Sequence, residues 1–370
     1  MLGVTFEKTL VVSALGAYDG ARLDLLKQCL QHLSSLTSDG KIRVVAFVSD
    51  PSLFPYPGIE FKEIADGKRL YWDSVLIAEQ DDKPIDLWLS FFDTTPHVQA
   101  QRQAVFCSNP FPWLDLRPRD WVMDKAVPKA VYAARAAYRK NVSHNSYLIV
   151  QQDYFRKKLS RLVRFDESKI IVFPSSAAIT PPEKVEVPAK GPYLFFYPST
   201  PDCYKNFEVV CEAARLLELE IGRRRFRLEC TIRGEDNKYG WWLKSNWDHV
   251  DSIHFAGWQS PSKLWGWYEA ADCLVYASRV EAWGRPISEF APTGKPMLLA
   301  DLPYAHESAA GAQKVAFFPV HDATALKEKM KALVLGSEAG LSLAPYHRIE
   351  DPKVYDWAEL FNFLLSAPSE

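Results

Sequence analysis

The sequence predicts an α/β protein built from two Rossmann-like halves, and three observations lead there. Short apolar runs alternate with stretches of helical period along the whole chain, the pattern of parallel sheets covered by helices. A proline-rich stretch without sustained period, residues 175–192, interrupts that alternation and reads as a linker. The length of 370 residues suffices for two such domains, each with its own core.

In the first half, residues 9–15 (TLVVSAL) read as a strand, followed by a loop with Gly16 and Gly20. Leu23, Leu26, Leu30 and Leu33 recur at helical spacing, so a helix is expected over 21–36. Strands are expected at 43–48, 85–90, 104–107 and 147–150, then a helix over 154–163 and a strand within 170–174. The second half opens with a strand at 193–197 and a helix at 206–219. Strands at 226–231 and 252–255 and a helix at 261–270 follow. After a strand at 274–276, a short helix opens near Pro286, and a Gly-Lys-Pro turn leads into a strand at 297–300. A loop with His306 and Glu307, a strand at 315–318, a helix at 323–333 and a last helix at 354–365 complete the chain. The expected domains are 1–175 and 176–349, and open parallel sheets place ligands beyond the carboxyl ends of their strands.

A net charge of -2 gives no sign of a nucleic-acid binder. The six cysteines, Cys29, Cys107, Cys203, Cys211, Cys230 and Cys273, show no C-x-x-C spacing. They read as buried thiols in a reducing compartment, with neither a disulfide frame nor a zinc site. The N-terminal apolar run is too short for a signal peptide, and no stretch approaches the roughly 18 apolar residues of a membrane span. A cytoplasmic location is expected. Twelve tryptophans fit either core packing or stacking on sugars or bases.

The chemistry concentrates in residues 274–308, where Glu281 and Glu289 flank the helix start at Gly284, Arg285 and Pro286. Free N–H groups and the dipole at a helix start favour an anion. A phosphate placed there would have a glutamate on each side to accept hydrogen bonds from hydroxyls, which suits a sugar nucleotide. Lys205, just before the helix at 206–219, is the candidate cation. No D-x-D run is suited to a metal-bridged diphosphate.

Glutamate, seven residues, glutamate, set between strand and helix and followed by Gly-Lys-Pro, resembles the signature of the family 4 retaining glycosyltransferases. The resemblance implies the GT-B fold, with Glu281 meeting the donor sugar and Glu289 the ribose. Lys205-Asn206 matches the family's phosphate-binding lysine, while the arginine many members carry before it is absent from 199–202. Arg279, Arg285 or Arg233 could replace it.

Two further segments, CSNPFPW (107–113) and YLIVQQDYFRKKL (147–159), resemble those of bacterial surface-polysaccharide transferases. They imply Asn109 near the reacting sugar, although Asn-Pro equally suits a plain turn. Gly16 would let the first loop approach a substrate closely. Residues 350–370 would pack back on the first domain, as the closing helix does in GT-B proteins. Glu307 would order its loop; His97 and His306 are cleft candidates without an assigned role.

The implied activity is retaining, metal-independent transfer from a nucleotide-diphosphate sugar to a lipid-linked saccharide, as in O-antigen or capsule assembly. It uses no cofactor, and the departing phosphate takes the acceptor's proton. The rival readings are a GT-B sugar-nucleotide epimerase and a non-catalytic sugar-nucleotide-binding partner subunit. Finally, residues 117–140 are rich in Arg and Lys, with Trp121, Val122, Val131 and Tyr132 interleaved. They fit a solvated helix, or a basic amphipathic helix docked peripherally on anionic lipid.

Overall fold

The computed structural model describes residues 7–14, 20–64, 84–91, 93–174, 185–189 and 191–366. Gly16 and most of the 175–192 stretch lie outside them. Contacts divide the chain into a first unit, Met1–Pro112, Tyr132–Ala178 and Ile349–Glu370, and a second, Trp113–Val131 and Ile179–Arg348. Residues 113–131 thus group with the second unit although they precede the proline-rich stretch.

The chain begins β1 (Lys8–Ala14), α1 (Gly20–Leu36), β2 (Ile42–Val48), β3 (Ile59–Glu63), β4 (Leu87–Ser90) and β5 (Arg102–Phe106). It continues α2 (Pro118–Met123), α3 (Ala126–Arg139), β6 (Tyr147–Val150), α4 (Asp153–Val163) and β7 (Ile170–Val172). The strands form a seven-stranded sheet in the order β3-β2-β1-β4-β5-β6-β7, every pair parallel. Strands buried on both faces must be apolar throughout, which is why they read as unbroken runs. Leu10, Val12 and Ala14 of β1 share one cluster with Leu26, Leu30 and Leu33 of α1. Val11, Val45, Phe47 and Trp88 occupy the opposite face.

The second unit runs β8 (Tyr193–Tyr197), α5 (Phe207–Ile221), β9 (Phe226–Cys230), α6 (Lys238–Trp247), β10 (Ile253–Phe255), α7 (Pro261–Ala270) and β11 (Cys273–Tyr276). Then come α8 (Arg285–Phe290), β12 (Met297–Ala300), α9 (Pro303–Ser308), β13 (Val315–Phe318) and α10 (Ala323–Val334). Its six parallel strands are ordered β10-β9-β8-β11-β12-β13. The order reverses between β8 and β11, and the crevice beyond the carboxyl ends of two such strands is where open α/β sheets bind ligands.

The last helix, α11 (Trp357–Ser366), returns to the first unit. Leu360, Phe361 and Leu364 enter the β1/α1 cluster. Arg102 donates to the Leu364 and Leu365 carbonyls at 3.3 and 2.7 Å, satisfying a helix end that has no partners of its own. Arg156, the arginine of the 147–159 motif, is fully buried and donates to the Glu350 carbonyl at 2.8 Å. It fastens the returning chain to α4.

Four local expectations are corrected. β3 was not anticipated, because its sequence IEFKE alternates charge with apolar residues at a sheet edge. Nor was α6, KYGWWLKSNW, which has no clear apolar stripe. The expected loop around His306 and Glu307 is the helix α9. The basic stretch 117–140 is two helices: the Asp124 N–H ends α2 on the Asp120 carbonyl (3.0 Å), and Asp124 Oδ1 receives the Ala126 N–H (2.8 Å) where α3 starts. All six cysteines are buried free thiols, and among the described residues no helix is long and apolar enough to cross a membrane.

Candidate functional site

β8 and β11, the neighbours at the strand-order reversal, lead into the loops that carry Lys205 and Glu281. Lys205 Nζ stands 2.6 Å from Glu281 Oε1, with side-chain exposures of 12% and 14%. The Tyr276 hydroxyl donates to the same oxygen at 2.8 Å. Burial, then the nearby Glu281 charge, pushes the Tyr276 phenol far above its ordinary range, so it remains a donor. The Tyr197 hydroxyl donates to the Lys205 carbonyl.

Asn206 explains its place beside the lysine. It is fully buried with φ +63°, a left-handed conformation that asparagine tolerates better than most residues. Its Nδ2 donates to the Ala277 carbonyl at 3.1 Å and the Val320 carbonyl at 2.6 Å. One side chain therefore joins the loops following β8, β11 and β13.

Glu289, in α8, is 8% exposed. The Tyr268 hydroxyl donates to its Oε2 at 2.7 Å, and Arg285 Nε lies 3.2 Å from its Oε1. Gly284 precedes α8 at φ +84°, where a Cβ would come within 3.3 Å of Ile287 and Tyr304. α9 holds the loop before α8: the Tyr304 hydroxyl donates to the Ser278 carbonyl at 2.7 Å, and the Ser308 hydroxyl to the Trp283 carbonyl. These two ordering contacts come from Tyr304 and Ser308, in the same helix as Glu307. His306 pairs with Asp301 at 2.7 Å and stacks on Phe317.

The three candidate arginines divide. Arg279 is buried in an ion pair with Asp120, Arg285 pairs with Glu289, and the Arg233 side chain lies against Gly257. Asn109 belongs to the first unit and has the bonding of a turn. Its Oδ1 accepts from the Phe111 N–H at 3.0 Å, and its own N–H donates to Asp93 Oδ1 at 2.9 Å. His97 packs edge-on against His144. Gly16 is outside the described residues. Sequence reasoning missed Tyr268, Tyr276 and Asp120. Tyr276 sits in a run read only as an apolar strand, Tyr268 in a stretch read only as a helix, and Asp120 in one read for its basic and apolar residues.

Residues 181–348, which include Lys205, Glu281 and Glu289, match the family described as "Glycosyl transferases group 1". No curated protein matches the sequence. Among solved structures, a glycosyltransferase from Rickettsia africae ESF-5 superposes with a TM-score of 0.61 at 15% identity, covering 90% of each chain. WaaG, a glycosyltransferase involved in lipopolysaccharide biosynthesis, gives 0.60 at 14% identity over 88% of this chain and 90% of that one. Anabaena Alr3699/HepE, in complex with UDP and glucose, gives 0.58 at 12% over 88% and 90%. The chain has the GT-B fold. The matched region and the shared fold support a glycosyltransferase.

Proposed function

We propose that the chain is a retaining glycosyltransferase that moves a sugar from a nucleotide-diphosphate donor to a lipid-linked saccharide in bacterial surface-polysaccharide assembly. The observation that carries this reading is the Lys205–Glu281 pair on the two loops at the strand-order reversal. A lysine on a flexible stem can exchange its carboxylate partner for a diphosphate, and a fixed cation stabilises the charge that grows as the C1–O bond breaks. Glu281 is then left to accept from the donor sugar's hydroxyls and Glu289 from the ribose. Gly284 and Arg285, at the start of α8, adjoin the diphosphate. The acceptor oxygen bonds to C1 on the face the phosphate leaves, and its proton passes to the departing phosphate oxygen. No metal takes part in this scheme. The acceptor is met at the cytoplasmic face of the membrane through peripheral contact.

The test is a thermal-shift panel of UDP, GDP, CMP and dTDP and their sugars, followed by transfer assays. One nucleotide series should stabilise the wild type and lose its effect in Glu289→Ala, and Glu281→Ala should abolish transfer while keeping its fold. Full transfer by Glu281→Ala refutes the assignment. Sugar-nucleotide conversion without acceptor would identify an epimerase, and nucleotide stabilisation without any turnover a binding subunit.

A further inference from the structure

Residues 113–131 lie in the second unit yet outside the stretch that matches the glycosyltransferase family. Their contacts converge on the two loops that carry Lys205 and Glu281. Asp120, in α2, is 1% exposed. Its Oδ1 accepts from the Arg279 guanidinium at 2.5 Å, its Oδ2 from the Arg117 N–H at 2.8 Å. α2 also packs against the turn Cys203–Lys205. Arg279 stands two residues before Glu281, and Cys203 two residues before Lys205. The buried carboxylate therefore holds the Glu281 loop through a side-chain donor, and its helix lies against the turn that carries Lys205. Arg279 tightens the junction, donating its own N–H to the Tyr204 carbonyl at 2.9 Å and its guanidinium to the Asp115 carbonyl at 3.2 Å.

The rest of the segment is anchored independently. Arg119 pairs with Glu208 at 2.7 Å and lies over the Trp242 ring at 4.5 Å, and Lys238 Nζ donates to the Val122 carbonyl at 2.8 Å. Burial pushes the Asp120 carboxyl up, but the Arg279 and Arg117 hydrogen bonds outweigh it and hold the group below the ordinary carboxylate range. It is therefore charged when it holds Arg279.

We infer that Asp120 is a positioning residue of the donor site, setting the spacing of Lys205 and Glu281 through Arg279, whose N–H holds the Tyr204 carbonyl, and through the packing of α2 on residues 203–205. The inference rests on the donor-site reading above. Binding and catalytic groups must be held to within about 0.5 Å by the shell behind them, and here that shell comes from a strap earlier in the chain.

Asp120→Asn alone leaves Arg279 buried without a counter-ion and can unfold the unit. The decisive variant is therefore the double Asp120→Asn with Arg279→Gln, which removes both charges and keeps the shapes. Circular dichroism checks its fold, calorimetry its affinity for UDP, GDP, ADP and dTDP, and hydrogen exchange its loops. The expected result is a folded double variant with at least tenfold weaker binding of the nucleotide the wild type prefers. Amide exchange should quicken within residues 199–206 and 277–284 and stay unchanged in α10. Wild-type affinity in the folded double variant, or unchanged exchange in both loops, overturns the inference. If the wild type binds none of the four nucleotides, the donor-site reading itself falls, and the positioning role falls with it even where the loops exchange faster.

Discussion

Glu281 is held at one oxygen by two donors that differ in what they can give up. Lys205 is long and flexible and can swing to a phosphate. Tyr276 has two rotatable bonds and a ring wedged edge-on against Tyr197 and Tyr304, with centroids 5.7 and 6.4 Å away. In the proposed scheme, where the lysine turns to the diphosphate, the phenol is what keeps the carboxylate aimed. Tyr276→Phe preserves the ring contacts and removes one hydrogen bond to a charged group, worth roughly 1.5–3 kcal/mol. We expect a folded protein whose kcat/KM for transfer falls about tenfold or more, a factor of ten corresponding to about 1.4 kcal/mol. Unchanged kcat/KM would show that Lys205 and the loop backbone alone position Glu281. The glutamate pair was legible in the sequence because its spacing and flanking strand and helix are local. Its supports were not: Tyr276 and Tyr268 look like strand and helix filler until the fold brings their hydroxyls to Glu281 and Glu289.

Among the elements, α3 carries the remaining question of membrane contact. Val127, Val131, Ala134 and Tyr138 are buried on one stripe, and Lys129, Tyr132, Ala136 and Arg139 are exposed on another. Arg135 is not available to a lipid surface without cost, because its guanidinium donates to the Pro112 carbonyl at 3.1 and 2.9 Å. Arg139 donates to the Leu162 carbonyl at 3.3 Å, but at the exposed surface, so the informative change is Arg139→Glu with Lys140→Glu. Each basic residue near an anionic surface contributes about 1 kcal/mol, and the contribution fades with salt. Sedimentation with phosphatidylserine-rich vesicles at low salt should fall by about tenfold or more. Equal sedimentation of variant and wild type removes α3 as the contact. The same stretch shows where sequence reading stops. Strands such as Tyr193–Tyr197 and Met297–Ala300 fall where expected, because two-sided burial leaves an unbroken apolar run. The break at Asp124 depends on a side-chain cap that composition does not register. β3 escapes because an edge strand gains from the charges that hide it.

Over the whole molecule, stability should carry the mark of one carboxyl in the second sheet. Glu229 of β9 is 1% exposed, and burial, incompletely offset by Arg227, pushes it up to about 7. Arg227, two residues earlier on the same face of the strand, lies 2.5 Å away, and His254 of β10 is the register partner of Glu229. Between about pH 4.5 and 7 the folded protein keeps a proton on Glu229 that the unfolded chain has released. This group's contribution to stability is therefore full below 4.5 and is lost as pH rises through 7. A displacement from 4.5 to about 7 corresponds to about 3 kcal/mol. His32, His254 and His321, each held below the ordinary histidine value first by burial, act in the opposite sense. Their stabilisation is present above about 6.5 and is lost as pH falls, so the raw pH profile mixes the two signs. Glu229→Gln separates them, since it keeps the shape and cannot ionise. Urea unfolding of both proteins from pH 5 to pH 8 should show the variant gaining on the wild type as pH rises, by about 2 to 3 kcal/mol over the range. Parallel profiles would mean that Arg227 neutralises Glu229 fully, and that the buried carboxyl is charged throughout.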